Sequence, residues 1–168
     1  MKIQHGCCEI RPNHKLSDLT WKNMCEAERP VYTEEEKAYA KSIQDTVASA
    51  AVERDRAPFH TDEVLHSQVA ARDTWKEVTM TASTDAGDVS YLMPMCFFTV
   101  ANLPFGVAPH TWQATALTGT GIGAKNALYA ARIMAGTAYD LLTQPETTEA
   151  IIKEFKDADV DYSPMYHE

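Results

Sequence analysis

Residues 119–145, GTGIGAKNALYAARIMAGTAYDLLTQP, decide the fold expected for this chain. Small and apolar residues recur here every three or four positions, which predicts a long helix that Pro145 ends. One side of that helix is formed by Leu128, Ala131, Ala135, Ala138 and Leu142. Because most of these side chains are small, we expect this side to pack closely on a sheet.

Segments before this helix are predicted to supply the sheet. MCFFTVANL (95–103) is a continuous apolar run of strand length, which suits a sheet buried on both faces. TWKEVTMTA (74–82) alternates roughly between apolar and polar residues, and KIQHGCCEI (2–10) has a strand-like composition. Since strands that alternate with helices favour layered folds, the sequence predicts an α/β fold class.

Three further helices are predicted around these strands. KLSDLTWKNMCEA (15–27) and ETTEAIIKEFKDA (146–158) have apolar residues at helical spacing. Thr33 and Glu36 form a capping-box pattern, which predicts a helix over about 34–54.

Composition and charge exclude several classes of protein. The chain has 168 residues, which fits one domain, and its net charge of −9 without a Lys/Arg cluster argues against a nucleic-acid partner. The uncharged stretch 89–124 is interrupted by prolines, which argues against a membrane span. The four cysteines lack C-x-x-C spacing and the N-terminus lacks a signal-peptide pattern, so we expect a cytoplasmic protein.

The glycine-rich segment GTGIGA (119–124) resembles the start of a dinucleotide-binding fingerprint. That fingerprint needs a strand directly before it and an acidic residue after the next strand, and the sequence predicts neither. Close helix packing or a tight helix entry is the better explanation of the glycines.

His110 and two acidic residues are the candidate site residues. His110 lies in the uncharged segment GVAPHTWQAT (106–115) and is either a ligand or a satisfied core residue. A metal site needs three or more ligands, and none stands three or four positions after it. Asp85 and Asp88, in STDAGDVS (83–90), either cap a helix, as Ser83 also could, or lie at the carboxyl end of a strand, where α/β sheets place their sites.

A family resemblance follows from the order of five segments: GCCEIRPNHKLSD (6–18), YTEEEKAYAKSIQ (32–44), STDAGDVSYLMP (83–94), PHTWQATA (109–116) and GIGAKNALYAARIMAGTAYDLL (121–142). In this order they resemble the C-terminal portion of metal-dependent amidohydrolases of the M20 peptidase family. The chain is most similar to the aminobenzoyl-glutamate utilisation B branch of that family.

The resemblance implies a fold and a role for each candidate residue. Residues 15–168 would be the C-terminal half of a zinc-peptidase-like (phosphorylase/hydrolase-like) α/β catalytic domain, and residues 1–14 the remnant of an inserted lid, or dimerisation, domain. His110 matches the final metal ligand of the family, whereas Asp85 and Asp88 are site-supporting positions. Asn13, at the junction with the lid, is expected to form a structural turn.

The family's other metal ligands and its general base have no counterpart in this chain, so we assign no catalytic and no cofactor-binding residue. The resemblance implies zinc or manganese in the complete enzyme, but one imidazole does not assemble a two-metal site. We therefore expect part of an amidohydrolase acting on an N-acyl amino acid or an aminobenzoyl-glutamate-like small molecule, with a second chain supplying the N-terminal half. The alternative is a non-catalytic truncated module that folds and self-associates. In both cases we expect a homo-oligomer, because half a sheet exposes strand edges and apolar surface.

Overall fold

The computed structural model of the chain describes residues 6–72, 74 and 84–164. Every regular element in these residues is helical. The helices are α1 (His14–Glu26), α2 (Glu34–Gln44), α3 (Ser49–Arg56), α4 (Ala86–Leu92), α5 (Trp112–Thr118), α6 (Gly121–Thr143) and α7 (Pro145–Asp157), with a 3₁₀ turn at Ala57–Phe59. The α/β fold class is therefore wrong, since the described part of the chain contains neither a strand nor a sheet.

The apolar run at 95–103 is irregular, although its composition predicts a buried strand. A strand must pair its backbone groups with a neighbouring strand. This run instead makes isolated bonds, such as the one that the Asn13 amide donates to the Met95 carbonyl at 3.0 Å. Its side chains are not fully buried either, and Phe97 is 61% exposed. Apolar composition without a pairing partner does not produce a strand.

Of the other two predicted strands, one is irregular where it is described and the other lies almost entirely outside the described residues. Residues 6–10 of the predicted strand at 2–10 are irregular, and they run beside α4, where the Cys8 carbonyl packs against Gly87. A Cβ atom at Gly87 would lie 1.9 Å from that carbonyl oxygen, so this approach requires glycine. The strand predicted at 74–82 lies outside the described residues apart from Thr74.

The helix predictions based on apolar spacing are confirmed for α1, α6 and α7. Pro145 ends α6 and occupies the first turn of α7, where its missing N–H costs nothing. Among the described helices, none combines the length and the apolarity that crossing a bilayer requires.

The single helix predicted at 34–54 is two helices. The capping box at Thr33 and Glu36 forms as predicted. However, α2 ends at Gln44, and a turn that includes the β-branched Thr46 separates it from α3. The Thr46 hydroxyl donates to the Ile43 carbonyl at 2.7 Å, so a local side-chain bond competes with continued helix.

Two clusters of buried side chains hold the helices together. The first joins α2, α5 and α6 with the loops between them: Tyr32, Ala40, Ile43, Leu65, Val107, Leu117 and Ile122. The second set is made of the remaining buried apolar side chains, which lie on α1, α6 and α7, three helices that contact one another: Leu19, Tyr129, Ile133 and Ile151. Since α6 contributes to both clusters, it is the central element of the described fold.

Polar contacts fix α1 against α7. Asn13 caps α1 by accepting a hydrogen bond from the Leu16 amide at 2.9 Å, and its amide group donates to the Ile151 carbonyl at 3.0 Å. The carboxylate of Glu154, on α7, accepts from the amides of His14 and Lys15 at 2.8 and 2.9 Å. Asn13 therefore has a structural role, as expected, but as the N-cap of α1 and not as a turn.

The side of α6 predicted to pack on a sheet is exposed. We call this side the outer face of α6: Ala124, Ala127, Leu128, Ala131, Met134, Ala135, Ala138, Tyr139 and Leu142. Leu128 is 54% and Leu142 is 85% exposed, whereas the buried side carries polar residues such as Asn126 and Asp140. The prediction of a closely packed side is wrong for the described residues, because they provide no sheet to cover it.

Candidate functional site

His110 lies directly before α5, at a sharp change of backbone direction. Thr111 is the N-cap of α5, and its hydroxyl accepts from the Ala114 amide at 3.2 Å and donates to the Ala108 carbonyl at 2.8 Å. These two bonds fix the backbone on both sides of the turn. His110 itself has φ +62°, in the left-handed region.

This conformation costs a non-glycine residue roughly 1–2 kcal/mol, although histidine adopts it more readily than most residues do. The His110 side chain is exposed and lines an open groove of about 490 Å³. The groove is also lined by Thr111, Ala114, Thr115, Thr118 and Gly119. The interpretation of His110 as a satisfied core residue is therefore wrong, and its imidazole is accessible to a ligand.

Asp85 and Asp88 lie at the start of α4. Asp85 occupies the N-cap position, but its side chain makes no capping bond, and the Thr84 hydroxyl accepts from the Ala86 amide instead, at 3.3 Å. Ser83, the other predicted cap, lies outside the described residues. The expected carboxylate cap is therefore not formed at Asp85.

Asp88 holds the C-terminal segment against α4. Its carboxylate accepts a hydrogen bond from the Tyr162 hydroxyl at 2.9 Å, and the Tyr162 ring stacks on Tyr91 at 5.4 Å. The hydrogen bond to Asp88 raises the pKa of Tyr162. Partial burial and then the Asp88 carboxylate raise the pKa of the Cys8 thiol. Within the described residues, Asp88 therefore has a structural role, because it holds Tyr162 against α4.

The described part of the chain does not assemble a metal centre. Residues 6–72, 74 and 84–164 contain no group of three or more His, Cys, Asp and Glu side chains that could hold a metal ion. The groove at His110 is lined by hydroxyl, alanine and glycine groups and not by Asp85 or Asp88. These donors do not fit a divalent metal by themselves, because such a site needs several charged or imidazole ligands.

The glycines of the GTGIGA segment serve helix packing. A Cβ atom at Gly123 would lie 2.0 Å from the Thr118 carbonyl oxygen, so α5 and α6 meet at a tight corner. At Gly121 a Cβ atom would lie 2.5 Å from a carboxylate oxygen of Glu36. These contacts agree with the interpretation of close packing at a helix entry.

Glu36, in the acidic run Glu34–Glu36, is buried in part by that corner and joins α2 to α6. Its carboxylate binds the ammonium group of Lys125 at 2.6 Å and the Thr33 amide at 2.8 Å. The hydrogen bond from Lys125, followed by that from the Thr33 backbone, lowers the pKa of Glu36. Glu34 and Glu35 are exposed, as expected for a solvated face.

A second cavity, of about 400 Å³, contains a histidine that the sequence interpretation missed. His66 is half-buried, and its ring lies 4.3 Å from the ring of Phe59 and 6.0 Å from that of Phe105. Both imidazole nitrogens are buried without a hydrogen-bond partner. Burial lowers the pKa of His66, while the nearby Glu63 carboxylate opposes this effect. The polar sequence around His66 predicts exposure, and no local pattern there indicates that Phe59 and Phe105 pack against its ring.

Comparisons with known proteins give one informative similarity. No protein-family model matches the chain, and no solved structure matches it. The chain is 30% identical to a subunit of the p-aminobenzoyl-glutamate hydrolase of Escherichia coli (strain K12), in an alignment 154 positions long that includes 83% of this chain. It spans about a third (32%) of the length of that protein. The chain is therefore a distant relative of this hydrolase subunit, which confirms the aminobenzoyl-glutamate part of the resemblance.

Proposed function

We propose that this chain is part of a hydrolase that cleaves the amide bond of p-aminobenzoyl-glutamate or of a similar N-acyl amino acid. The proposal rests on the similarity to a hydrolase subunit across most of this chain. In such a reaction water adds across the C–N bond, so that a carboxylic acid and an amine are released. The substrate carries carboxylates that the enzyme must bind. The remaining two thirds of the relative's length, which could help to bind them, has no counterpart in this chain.

Within that hydrolase, His110 is the residue that we assign to the site. Its imidazole is exposed at the edge of a groove, and its strained backbone is held by the cap of α5. Strain of this kind is concentrated at functional sites. His110 would contribute one ligand to a zinc or manganese site, and Asp85 would lie near it in a supporting position. Asp88 already has a structural partner in Tyr162.

The remaining ligands and the general base would come from a segment outside this chain, either a second polypeptide or a further part of the same protein. Amide hydrolysis requires a group that removes a proton from the attacking water. Since the described donors around His110 do not form such a constellation, the proposal assigns this chain a contributing role and no complete mechanism.

A chimera tests this proposal directly. In the E. coli relative, the segment matched by this chain is replaced by this chain, and hydrolysis of p-aminobenzoyl-glutamate and bound zinc and manganese are measured. We expect the chimera to be active and His110→Asn to lower its activity by about 100-fold or more, with loss of bound metal. Asparagine keeps the left-handed backbone accessible, so the change removes the imidazole without removing the turn.

His60→Asn is the matched control, because His60 is also exposed and also left-handed, with φ +48°. This variant should retain the activity and the metal content of the unmodified chimera. An inactive chimera, or equal activity in the two histidine variants, would contradict the proposal.

A non-catalytic module is the second candidate function. The observation that favours it is the large exposed apolar surface of α6 in a chain whose described residues assemble no metal centre. The same chimera distinguishes the two candidates, because a module without a catalytic contribution gives no hydrolysis whichever residue occupies position 110.

A further inference from the structure

We propose that His66 is a positioning residue for His110: its neutral ring holds the loop that leads into His110, and protonation of the ring releases that loop. We call residues 103–109 the entry loop, because they lead directly into His110. The role of His110 as a ligand rests on the proposed function. The release of the entry loop is a property of this chain, and measuring it requires no hydrolysis.

The entry loop is attached to several parts of the fold at two adjacent residues. The Phe105 amide donates to the Val64 carbonyl at 3.3 Å, and the Phe105 carbonyl accepts from the side-chain amide of Gln44 at 3.1 Å. The Gly106 amide donates to the Asp55 carboxylate at 3.1 Å. These bonds tie the loop to α2, to α3 and to the irregular segment 60–68 that carries His66.

A displacement of the entry loop would be transmitted to both sides of His110. Gly106 has φ +87°, and a Cβ atom there would lie 2.8 Å from a methyl carbon of Val52, so the loop fits in one conformation only. Two residues later, the Ala108 carbonyl accepts from the Thr111 hydroxyl that caps α5. The turn at His110 therefore depends on the loop before it as well as on the cap after it.

His66 packs directly against this loop. Its ring lies 6.0 Å from the Phe105 ring and 4.3 Å from the Phe59 ring, and the two phenylalanine rings are 5.4 Å apart. The neighbouring Leu65 is buried in the same cluster as Val107 of the entry loop. The ring of His66 is thus part of the contact that holds the entry loop against segment 60–68.

This position suits a neutral imidazole and not an imidazolium. Both ring nitrogens are buried, and neither has a hydrogen-bond partner among the described residues. Protonation would add a charge and a second N–H donor to a ring that has no acceptor for either. The open cavity of about 400 Å³ beside the ring gives it space to rotate toward water.

The charges around His66 do not compensate an imidazolium. The Glu63 carboxylate favours the charged ring, but both of its oxygens already accept hydrogen bonds from Ser67. Arg56 opposes it, because its guanidinium lies 6.0 Å from the centre of the Phe105 ring. Burial is the largest effect, and it lowers the pKa of His66. Among the described residues, the other titratable groups whose contacts reach this segment or the entry loop are His60 and Asp62 on the segment, Asp55 on α3, Lys37 on α2 and Arg29 between α1 and α2.

Amide hydrogen exchange of the purified chain measures the release. The amides of Gly106 and Ala114 lie on the two sides of His110, and Ala114 donates to the Thr111 hydroxyl. Between pH 7.5 and 5.5 a released ring with the ordinary pKa of 6.5 becomes charged, whereas the packed ring resists protonation. The protection of both amides, corrected for the intrinsic exchange rate at each pH, should therefore fall by about 3–10-fold.

Four variants identify the group that titrates. His66→Phe keeps an aromatic ring without a titratable group and should remove the pH dependence, and His66→Leu should do the same if the larger ring fits poorly. His60→Asn and His110→Asn should keep it. These two controls are needed because histidine is the side chain that ordinarily titrates in this pH range.

The release is a local opening, so it should be faster than unfolding of the whole chain. The amides of Gly106 and Ala114 should exchange at least about tenfold faster than the amide of Ile133, which is fully buried in α6.

Three results would overturn the proposal. The first is a change in protection of less than about twofold between pH 7.5 and 5.5 at either amide of the unmodified chain. The second is a pH dependence that persists in both His66 variants or disappears in either control. The third is exchange of Gly106 and Ala114 at the rate of Ile133, because the loop would then open only with the whole chain. Since none of these measurements involves hydrolysis, an inactive chimera would contradict the proposed function alone.

Discussion

Gly136 faces Asn23 of α1 at close range, and replacing it with alanine tests how α1 and α6 pack. A Cβ atom there would lie 2.2 Å from the side-chain oxygen of Asn23 and 3.1 Å from its Cγ. The amide of Asn23 donates to a carboxylate oxygen of Asp140 at 3.0 Å and to the Leu19 carbonyl at 3.0 Å. The Gly136→Ala variant must therefore displace Asn23 from a buried carboxylate.

Two effects of opposite sign decide the outcome. Alanine in a helix interior is more favourable than glycine by roughly 1 kcal/mol. Loss of a hydrogen bond to a charged group costs roughly 1.5–3 kcal/mol. Asp140 is only 8% exposed, so water does not readily replace the lost donor. The net expectation is that Gly136→Ala lowers the free energy of unfolding by about 0.5–2 kcal/mol.

Urea unfolding at pH 7 measures this change, and a double-mutant cycle with Asn23→Ala isolates its cause. In the Asn23→Ala background the clash is absent, so Gly136→Ala should raise the free energy of unfolding by about 1 kcal/mol. Ala38→Gly on the exposed face of α2 calibrates the helix-propensity effect alone. Stabilisation by Gly136→Ala in the chain that retains Asn23 would refute the close approach of α1 and α6.

Two further predictions concern pH. Lys125 lowers the pKa of Glu36 below 4.5 in the folded chain. The ionised Glu36 carboxylate therefore stabilises the fold fully above about pH 4.5, and this stabilisation is lost as the pH falls through the lower, folded-state pKa. Glu36→Gln should therefore lower the free energy of unfolding by about 1 kcal/mol at pH 7. It should also reduce the fall of this free energy in acid. Glu35 is exposed, so Glu35→Gln should change neither the free energy of unfolding at pH 7 nor its fall in acid. Because burial lowers the pKa of His66 below 6.5, the unfolded chain binds its proton more tightly, and stability should fall as the pH drops below about 6.5. His66→Phe should remove that part of the decline in urea unfolding between pH 7.5 and 5.5, and an unchanged decline would show that His66 is solvated.

Local signals in this sequence predict local structure well. The capping box at Thr33, the apolar spacing of α1 and α7, and the proline that ends α6 each depend on residues within a few positions of one another. Strands depend instead on a partner elsewhere in the chain. The run at 95–103 has the composition of a buried strand, but the described residues offer it no neighbouring strand, so its composition is not sufficient.

In the candidate site, too, local sequence predicts local features, whereas contacts with distant residues are not predicted. The uncharged sequence around His110, with Pro109 before it, predicts a fixed backbone, and the left-handed turn held by Thr111 agrees with that expectation. The role of His110 as a metal ligand stays a prediction. Whether Asp88 acts in a site or in packing depends on Tyr162, which lies 74 positions away. No local pattern around Asp88 contains that information, and the same holds for His66 between Phe59 and Phe105.

α6 buries the less apolar of its two sides, so hydrophobicity alone predicts the wrong side of this helix to be buried. Its buried side includes Asn126, Thr137 and Asp140, which the fold accepts because each makes a specific hydrogen bond. Its outer face is the more apolar of the two, and it is exposed because the described residues contain nothing to cover it. A helix of this kind is suited to contacts on both sides. The apolar pattern of α6 therefore predicts a surface that covers its outer face, and the described residues do not supply one.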